Sequence, residues 1–178
     1  MRRLFMSFLV VIMFCIFCFG DIHESVAEQV SGSWNFQGSA GFFKANSADV
    51  GTLNGSLSVG YFFTPRVEVG LRQGLNYEFV TGGANPWLAT TVPYVNFHFL
   101  TGVFQPYIGA GVGVVWNNSN VTGTIAPSAG FKAFVADNVY VNVGYTYEWF
   151  FTKIDYNTVI DESSRGNHVI GVGVGILF

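Results

Sequence analysis

Charged side chains are scarce in this sequence, and several of them lie within segments that are otherwise apolar. They make up 11% of the 178 residues, against about 25% in an ordinary globular chain. The candidates for chemistry inside such segments are Glu68, Arg72, Glu78, Lys132 and Glu148. Ionised groups in a narrow interior need partners of opposite charge. We therefore expect Arg72 and Lys132 to bridge the carboxylates in one network. We interpret this network as a plug that fills the interior, and a gated polar path is the alternative.

Two histidines are the other candidates for chemistry. His98 is expected to point inward, where a hydrogen-bonded histidine needs no catalytic role. Just before His168 lie Asp161, Glu162, Ser163 and Ser164, and together with His168 they offer the residue types of a nucleophile, a base and an acid. Such residues also occur together in ordinary loops, and no complete catalytic motif is present. The two histidines are too far apart for a metal pair. We expect no enzyme activity, no metal and no cofactor.

The segments that carry these residues alternate between apolar and small or polar positions, which is the signature of β-strands. The last segment is the most regular, with Ile170, Val172, Val174, Ile176 and Phe178 on one face. Seven earlier segments follow the same pattern. The expected strands are 33–43, 53–63, 67–79, 94–99, 107–116, 128–135, 139–149 and 168–178. Pro93 should interrupt the fourth strand by a bulge or a shortened ladder, and the bounds near Pro127 stay open.

Longer and shorter connections alternate between these strands, as in outer-membrane barrels. We predict an all-β fold, an eight-stranded antiparallel up-and-down transmembrane β-barrel with both termini in the periplasm. Aromatic residues fall where the barrel would meet the lipid headgroups. This expected girdle consists of Trp34, Tyr61, Phe63, Tyr77, Trp116, Tyr147 and Trp149. The alternative is a soluble ligand-binding barrel of the lipocalin type, but its water-facing surface would need many more charges.

The N-terminus indicates export. Arg2 and Arg3 precede an apolar run from Leu4 to Phe19, and small residues follow at cleavage spacing. We expect a signal peptide over residues 1–27, cleaved after Ala27 or less favourably after Gly20, and a barrel domain over residues 28–178. Cys15 and Cys18 both lie in the apolar run, so the mature chain would hold no cysteine. No basic patch is present, which excludes nucleic acid as a partner.

Three features together give the chain a family resemblance: the turn segment YFFTPR at residues 61–66, the strand segment QPYIGAGVG at residues 105–113, and the terminal Phe178. The mature chain resembles the small eight-stranded outer-membrane barrels, which include the OmpA transmembrane domain and the OmpX, Ail and Opa types. The resemblance implies a Gram-negative outer membrane, with lipid and lipopolysaccharide as surroundings. It also implies that the barrel-assembly machinery reads the alternating residues before Phe178 as an assembly signal.

The resemblance identifies the architecture more closely than the activity, because the superfamily includes several activities. We expect a structural or surface-interaction protein that acts in adhesion or membrane integrity and meets an extracellular partner through its outer loops. A narrow porin-like channel for small or apolar solutes is the alternative, and a lipid-modifying enzyme is the third candidate.

Overall fold

A computed structural model describes residues 31–44, 50–80, 87–118, 120–154 and 164–178. Their strands are β1 (Trp34–Lys44), β2 (Val50–Thr64), β3 (Val67–Val80), β4 (Trp87–His98), β5 (Phe104–Trp116), β6 (Val121–Phe134), β7 (Val139–Ile154) and β8 (Ser164–Leu177). Each strand pairs antiparallel with the next, and β8 pairs with β1, so the sheet closes into a barrel. The predicted fold class is confirmed. The described residues contain no helix long and apolar enough to cross a membrane.

The outer face of the barrel is apolar, and the inner face carries the polar side chains. Leu57, Ile108 and Val172 are more than half exposed, although each is a large aliphatic residue. The residues that alternate with the apolar ones along each strand, such as Asn96 and Asn142, are buried inside the barrel. This is the reverse of a soluble protein, and it follows from the period-two alternation of the sequence.

The two ends of the barrel differ. At the end that we call the turn end, residues 65–66, 99–103 and 135–138 connect the strands, and Phe178 lies beside Trp34. The other end, called the loop end, carries the remaining connections. There β7 has 16 residues, whereas a transmembrane strand needs about 9–11. The β7–β8 hairpin is therefore longer than a bilayer requires.

The expected interruption at Pro93 is only half right. Strand β4 runs through Pro93 from Trp87, and it shows no bulge, because Thr91 pairs with Val114 and Tyr94 with Gly111 in one register. The ladder to β5 nevertheless has no pairs at Val92 and Pro93. The missing N–H of proline explains this short gap.

The largest other differences from the predicted strands are at two boundaries. Strand β6 begins at Val121 rather than at Ser128, and the predicted loop after Trp149 is still strand as far as Ile154. The strand bounds near Pro127 had been left open. Here too the register is constant, because only the two pairs around Pro127 are missing from the ladder to β7. A closed sheet thus accepts a proline where the flanking pairs hold the strands together.

Candidate functional site

One buried carboxylate near the turn end accepts hydrogen bonds from several strands. Its group, called the Glu68 cluster, consists of Asn35, Glu68, Tyr94, Asn96, His98 and Lys132. Lys132 Nζ lies 3.0 Å from Glu68 Oε2, and both side chains are 1% exposed. Asn35 Nδ2 donates to Glu68 Oε1 at 2.6 Å, and the Tyr94 hydroxyl donates at 2.8 Å. The cluster ties β1, β3, β4 and β6 together across the interior.

The Glu68 cluster lies against an apolar layer at the turn end. This base cluster consists of Phe62, Phe134, Tyr140 and Leu177, with Val103 packed against it. The Lys132 ammonium is 5.2 Å from the ring centre of Phe62 and 4.9 Å from that of Tyr140, within cation–π range. The base cluster is almost fully buried, so it closes the turn end of the interior.

Arg72 is not part of the Glu68 cluster. Its Nη1 donates to the Thr146 hydroxyl at 3.0 Å, and the guanidinium lies 5.1 Å from the ring centre of Tyr94. Arg72 makes no ion pair with the carboxylates in the part of the chain that the structure describes. The expected single network is therefore not formed: Lys132 pairs with Glu68 as predicted, but Arg72 bridges none of the described acids. Strand β6 runs from Val121 to Phe134, so Lys132 lies close to its turn end, whereas Arg72 lies near the middle of β3.

The remaining two acids lie nearer the loop end. Glu148 is buried and Glu78 half-buried, and in each of them Oε2 is enclosed without a hydrogen-bond partner. Glu148, Arg72 and Thr146 line a cavity of about 60 Å³. By volume it has room for about four water molecules. An apolar cluster of Leu88, Val115 and Phe150 lies at this end of the interior.

Glycines give the large interior side chains their space. A Cβ at Gly175 would collide with the ring of Tyr140, and one at Gly70 would lie 2.6 Å from Tyr94. A Cβ at Gly130 would come within 2.7 Å of the Tyr107 hydroxyl. At Gly175 of β8 a tyrosine ring fills the space that the absent side chain leaves. Because eight strands leave little interior volume, a bulky ring is compatible only with a bare neighbour.

The histidines are far apart. His98 is fully buried, and its Nε2 is 3.1 Å from Glu68 Oε2. His168 lies on the outer face, with Nδ1 2.7 Å from the Tyr145 hydroxyl and its ring 4.8 Å from that of Tyr147. Asp161, Glu162 and Ser163 lie outside the described residues, and Ser164 is described only as the first residue of β8. Within the described ranges, no three His, Cys, Asp or Glu side chains are placed to hold a metal ion.

The aromatic residues expected in a girdle lie on the outer face in two groups. Near the turn end, Trp34, Tyr61 and Phe63 pack edge to face, with ring centres 5.2 Å and 5.1 Å apart. Near the loop end lie Tyr77, Trp116, Tyr147 and Trp149. The residues of the expected assembly signal lie on the outer face of β8, where Ile170, Val172, Val174 and Phe178 are exposed and Ile176 is half-buried.

No protein-family model matches the sequence, and no curated protein is detectably similar to it. Several solved structures are similar in fold, and three of them are described here. The outer membrane protein OprG from Pseudomonas aeruginosa has a TM-score of 0.61 at 15% identity, over 86% of this chain and 99% of that one. Neisserial surface protein A has a TM-score of 0.60 at 15% identity, over 82% and 96%. The N-terminal barrel of Pseudomonas aeruginosa OprF has 0.55 at 19%, over 84% and 98%.

The fold is that of the small eight-stranded outer-membrane barrels. The predicted resemblance is thus confirmed at the level of the fold. At these identities the likeness carries no role from one protein to another. Function has to be argued from the residues of this barrel.

The sequence reasoning missed most of the neutral partners in the interior. Asn35, Tyr94, Asn96 and Tyr140 were not among the predicted site residues, yet they donate most of the hydrogen bonds of the Glu68 cluster and its surroundings. A usable signal was present. Tyrosines on a face of glycine, serine and asparagine mark the positions where a small barrel fills its interior.

Proposed function

We propose that this chain is an integral protein of the outer membrane, with its turn end and both termini in the periplasm. The exposed aliphatic outer face between two aromatic groups supports this. Tyr61 belongs to the aromatic group near the turn end, and Leu53 pairs with Tyr77 of the group near the loop end. From Leu53 to Tyr61, a strand of usual tilt rises about 20 Å along the barrel axis, which is close to the apolar band of about 25 Å in such barrels. The fold shared with proteins named as outer membrane proteins supports it as well.

We infer that the barrel is a closed scaffold rather than a channel. The observation that carries this is the pair of stacked layers at the turn end, the base cluster and the Glu68 cluster. Phe62, Phe134 and Tyr140 are at most 2% exposed, and the Lys132–Glu68 pair behind them has no exposed edge. An ion crossing this point would have to break five hydrogen bonds on one carboxylate and displace the aromatic side chains.

The proposed role is a non-enzymatic one in surface interaction or membrane integrity, carried by the loop end. There the β7–β8 hairpin exceeds the membrane length, and Trp149 and Phe151 are exposed on its outer face. The ring of Phe151 packs over Gly123 of β6, which stiffens the base of this hairpin. Lipopolysaccharide would surround the loop-end aromatics. An extracellular partner would meet the loops, and the barrel-assembly machinery would bind the β8 residues during insertion.

Planar-bilayer recording tests the closed barrel. We expect no conductance steps from the purified protein, and steps from a variant in which both layers are opened by Phe62→Ala and Phe134→Ala together with Glu68→Ala. Steady steps from the unmodified protein would overturn the proposal in favour of the channel.

Loop exchange tests the role. We expect that replacing residues 155–163 by a short Gly-Ser linker leaves insertion intact and lowers adhesion or detergent resistance of the cells. The matched control replaces residues 45–49 in the same way. If cells with every loop replaced adhered and resisted detergent as before, the loops would not carry the function.

A further inference from the structure

Two polar side chains lie side by side on the apolar outer face of the barrel. Gln73 of β3 pairs in register with Thr91 of β4, and Gln73 is exposed. Its neighbours on the same face of β3 are Leu71 towards the turn end and Leu75 towards the loop end, both about half exposed. In the proposed membrane insertion, Gln73 therefore lies in the middle of the surface that contacts the lipid tails. A free amide at that depth is unfavourable, because lipid tails offer it no partner.

The hydrogen bonds of Gln73 inside its own barrel are incomplete. The Thr91 hydroxyl donates to Gln73 Oε1 at 2.7 Å. Gln73 Nε2 has only a long contact of 3.5 Å to the carbonyl oxygen of Gly74. An amide oxygen accepts two hydrogen bonds and an amide nitrogen donates two. The side chain can thus offer one good donor and one acceptor to a neighbour.

An apolar groove of about 560 Å³ runs beside Gln73 on the outer face. Ala40, Gly55 and Ala89 keep its floor low. Taller side chains border it, namely Leu53, Leu57, Leu75, Tyr77, Trp87 and Trp116. Small residues at a membrane surface allow another backbone to approach closely. The amide and the groove therefore form one continuous patch across β2, β3 and β4.

We propose that two copies of this chain associate in the membrane through this patch, with the Gln73 side chains hydrogen-bonded to each other. Two barrels inserted in the same direction are related by a two-fold axis along the membrane normal, so a residue at the axis meets its own copy at the same depth. Gln73 is suited to this position, because Nε2 of each copy can donate to Oε1 of the other while Thr91 keeps the second lone pair. A charged residue would repel its copy there. The proposal rests on the membrane insertion proposed above.

Disulfide cross-linking in vesicles tests the dimer. Leu57 pairs with Gln73 in the β2–β3 register and is 70% exposed, so Leu57→Cys places a thiol next to the proposed axis. Val172→Cys on β8, which is 56% exposed, is the matched control on another side of the barrel. Both natural cysteines lie in the first 18 residues, within the predicted signal peptide, so the mature chain provides a cysteine-free background. The variants are reconstituted in phosphatidylcholine vesicles at several protein-to-lipid ratios and oxidised with copper phenanthroline.

We expect Leu57→Cys to form a covalent dimer and Val172→Cys to form far less. Adding Gln73→Leu to Leu57→Cys should lower the association constant about sevenfold, the factor for two hydrogen bonds of the strength measured between membrane segments. Equal cross-linking at the two positions, or no effect of Gln73→Leu, would overturn the proposal. So would a monomer that retains a lipid in mass spectra, since the patch would then be a lipid site. The boiling-dependent mobility of each variant, measured in parallel, separates failure of the dimer from failure of insertion.

Discussion

The pair of Lys132 and Glu68 is the interaction whose loss should cost the barrel most. Lys132→Met removes the ammonium and keeps most of the unbranched side chain, which leaves the carboxylate buried at 1% exposure. Breaking a buried pair in this way costs about 3–5 kcal/mol of unfolding free energy. We expect the lower end, about 3 kcal/mol, because Asn35, Tyr94 and His98 still surround the carboxylate.

Glu68→Met should be the more damaging change. It leaves the Lys132 ammonium buried, and it also removes the acceptor of the Asn35, Tyr94 and Asn96 donors, each bond contributing about 1 kcal/mol. The rings of Phe62 and Tyr140 offset part of this by cation–π attraction. We expect a loss of about 5 kcal/mol. The variant that carries both substitutions should be no less stable than Glu68→Met alone. Its loss is then smaller than the sum of the two single losses by about 3 kcal/mol, and this difference is the coupling energy.

Urea unfolding of the folded protein in vesicles, followed by tryptophan fluorescence, measures all four proteins of this cycle. Leu71→Met, on the outer face and away from the interior, is the control and should change the unfolding free energy by less than about 0.5 kcal/mol. If the two single changes were additive within about 0.5 kcal/mol, the two side chains would not interact and the account of the closed base would be refuted.

Three further predictions concern the wall and the end of the barrel. Gly175→Ala should destabilise the fold by about 1–3 kcal/mol through its collision with Tyr140, and Tyr140→Leu should relieve it, whereas equal effects in both backgrounds would contradict the Tyr–Gly packing. Pro93→Val should raise the stability by about 1 kcal/mol, because it supplies the N–H that the β4–β5 ladder lacks, and an unchanged urea midpoint would show that the gap is closed in another way. Phe178→Ala should slow insertion in cells while leaving refolding in detergent unaffected, and insertion at the normal rate would remove Phe178 from the assembly signal.

The sequence predicted the parts of the fold that depend on local alternation. Residues such as Ile170 and Val172 were assigned to one apolar face from their alternation alone, and such alternation is a property of any extended strand. The start of β6 and the end of β7 were misplaced, because Pro127 interrupts a strand pattern and Asp155 and Asn157 are typical of loops. In the closed barrel, the pairs with neighbouring strands keep Pro127 and the last residues of β7 in the sheet despite such signals. A single sequence does not show which strands form those pairs.

The interior was predicted less well, for a physical reason. Parity places Glu68, Arg72 and Lys132 on one face, but the partner of each depends on the stagger of strands far apart in the sequence. Lys132 and Glu68 are separated by 64 residues. The registers of three consecutive strand pairs lead from Glu68 to Ser128, and the tilt of the strands brings Lys132, further along β6, to the height of Glu68. No pattern within a segment contains that information.

Gel mobility with and without boiling tests the central claim, a closed barrel in the outer membrane, most directly. The protein is extracted from the isolated outer-membrane fraction and run in detergent, one sample heated and one not. We predict that the unheated protein migrates faster, because the closed hydrogen-bonded sheet resists detergent until it is boiled. The opposite result is a protein that is found in the soluble periplasmic fraction and has the same mobility in both samples. It would contradict the membrane assignment and the assignment of the apolar side chains to the outer face of the barrel.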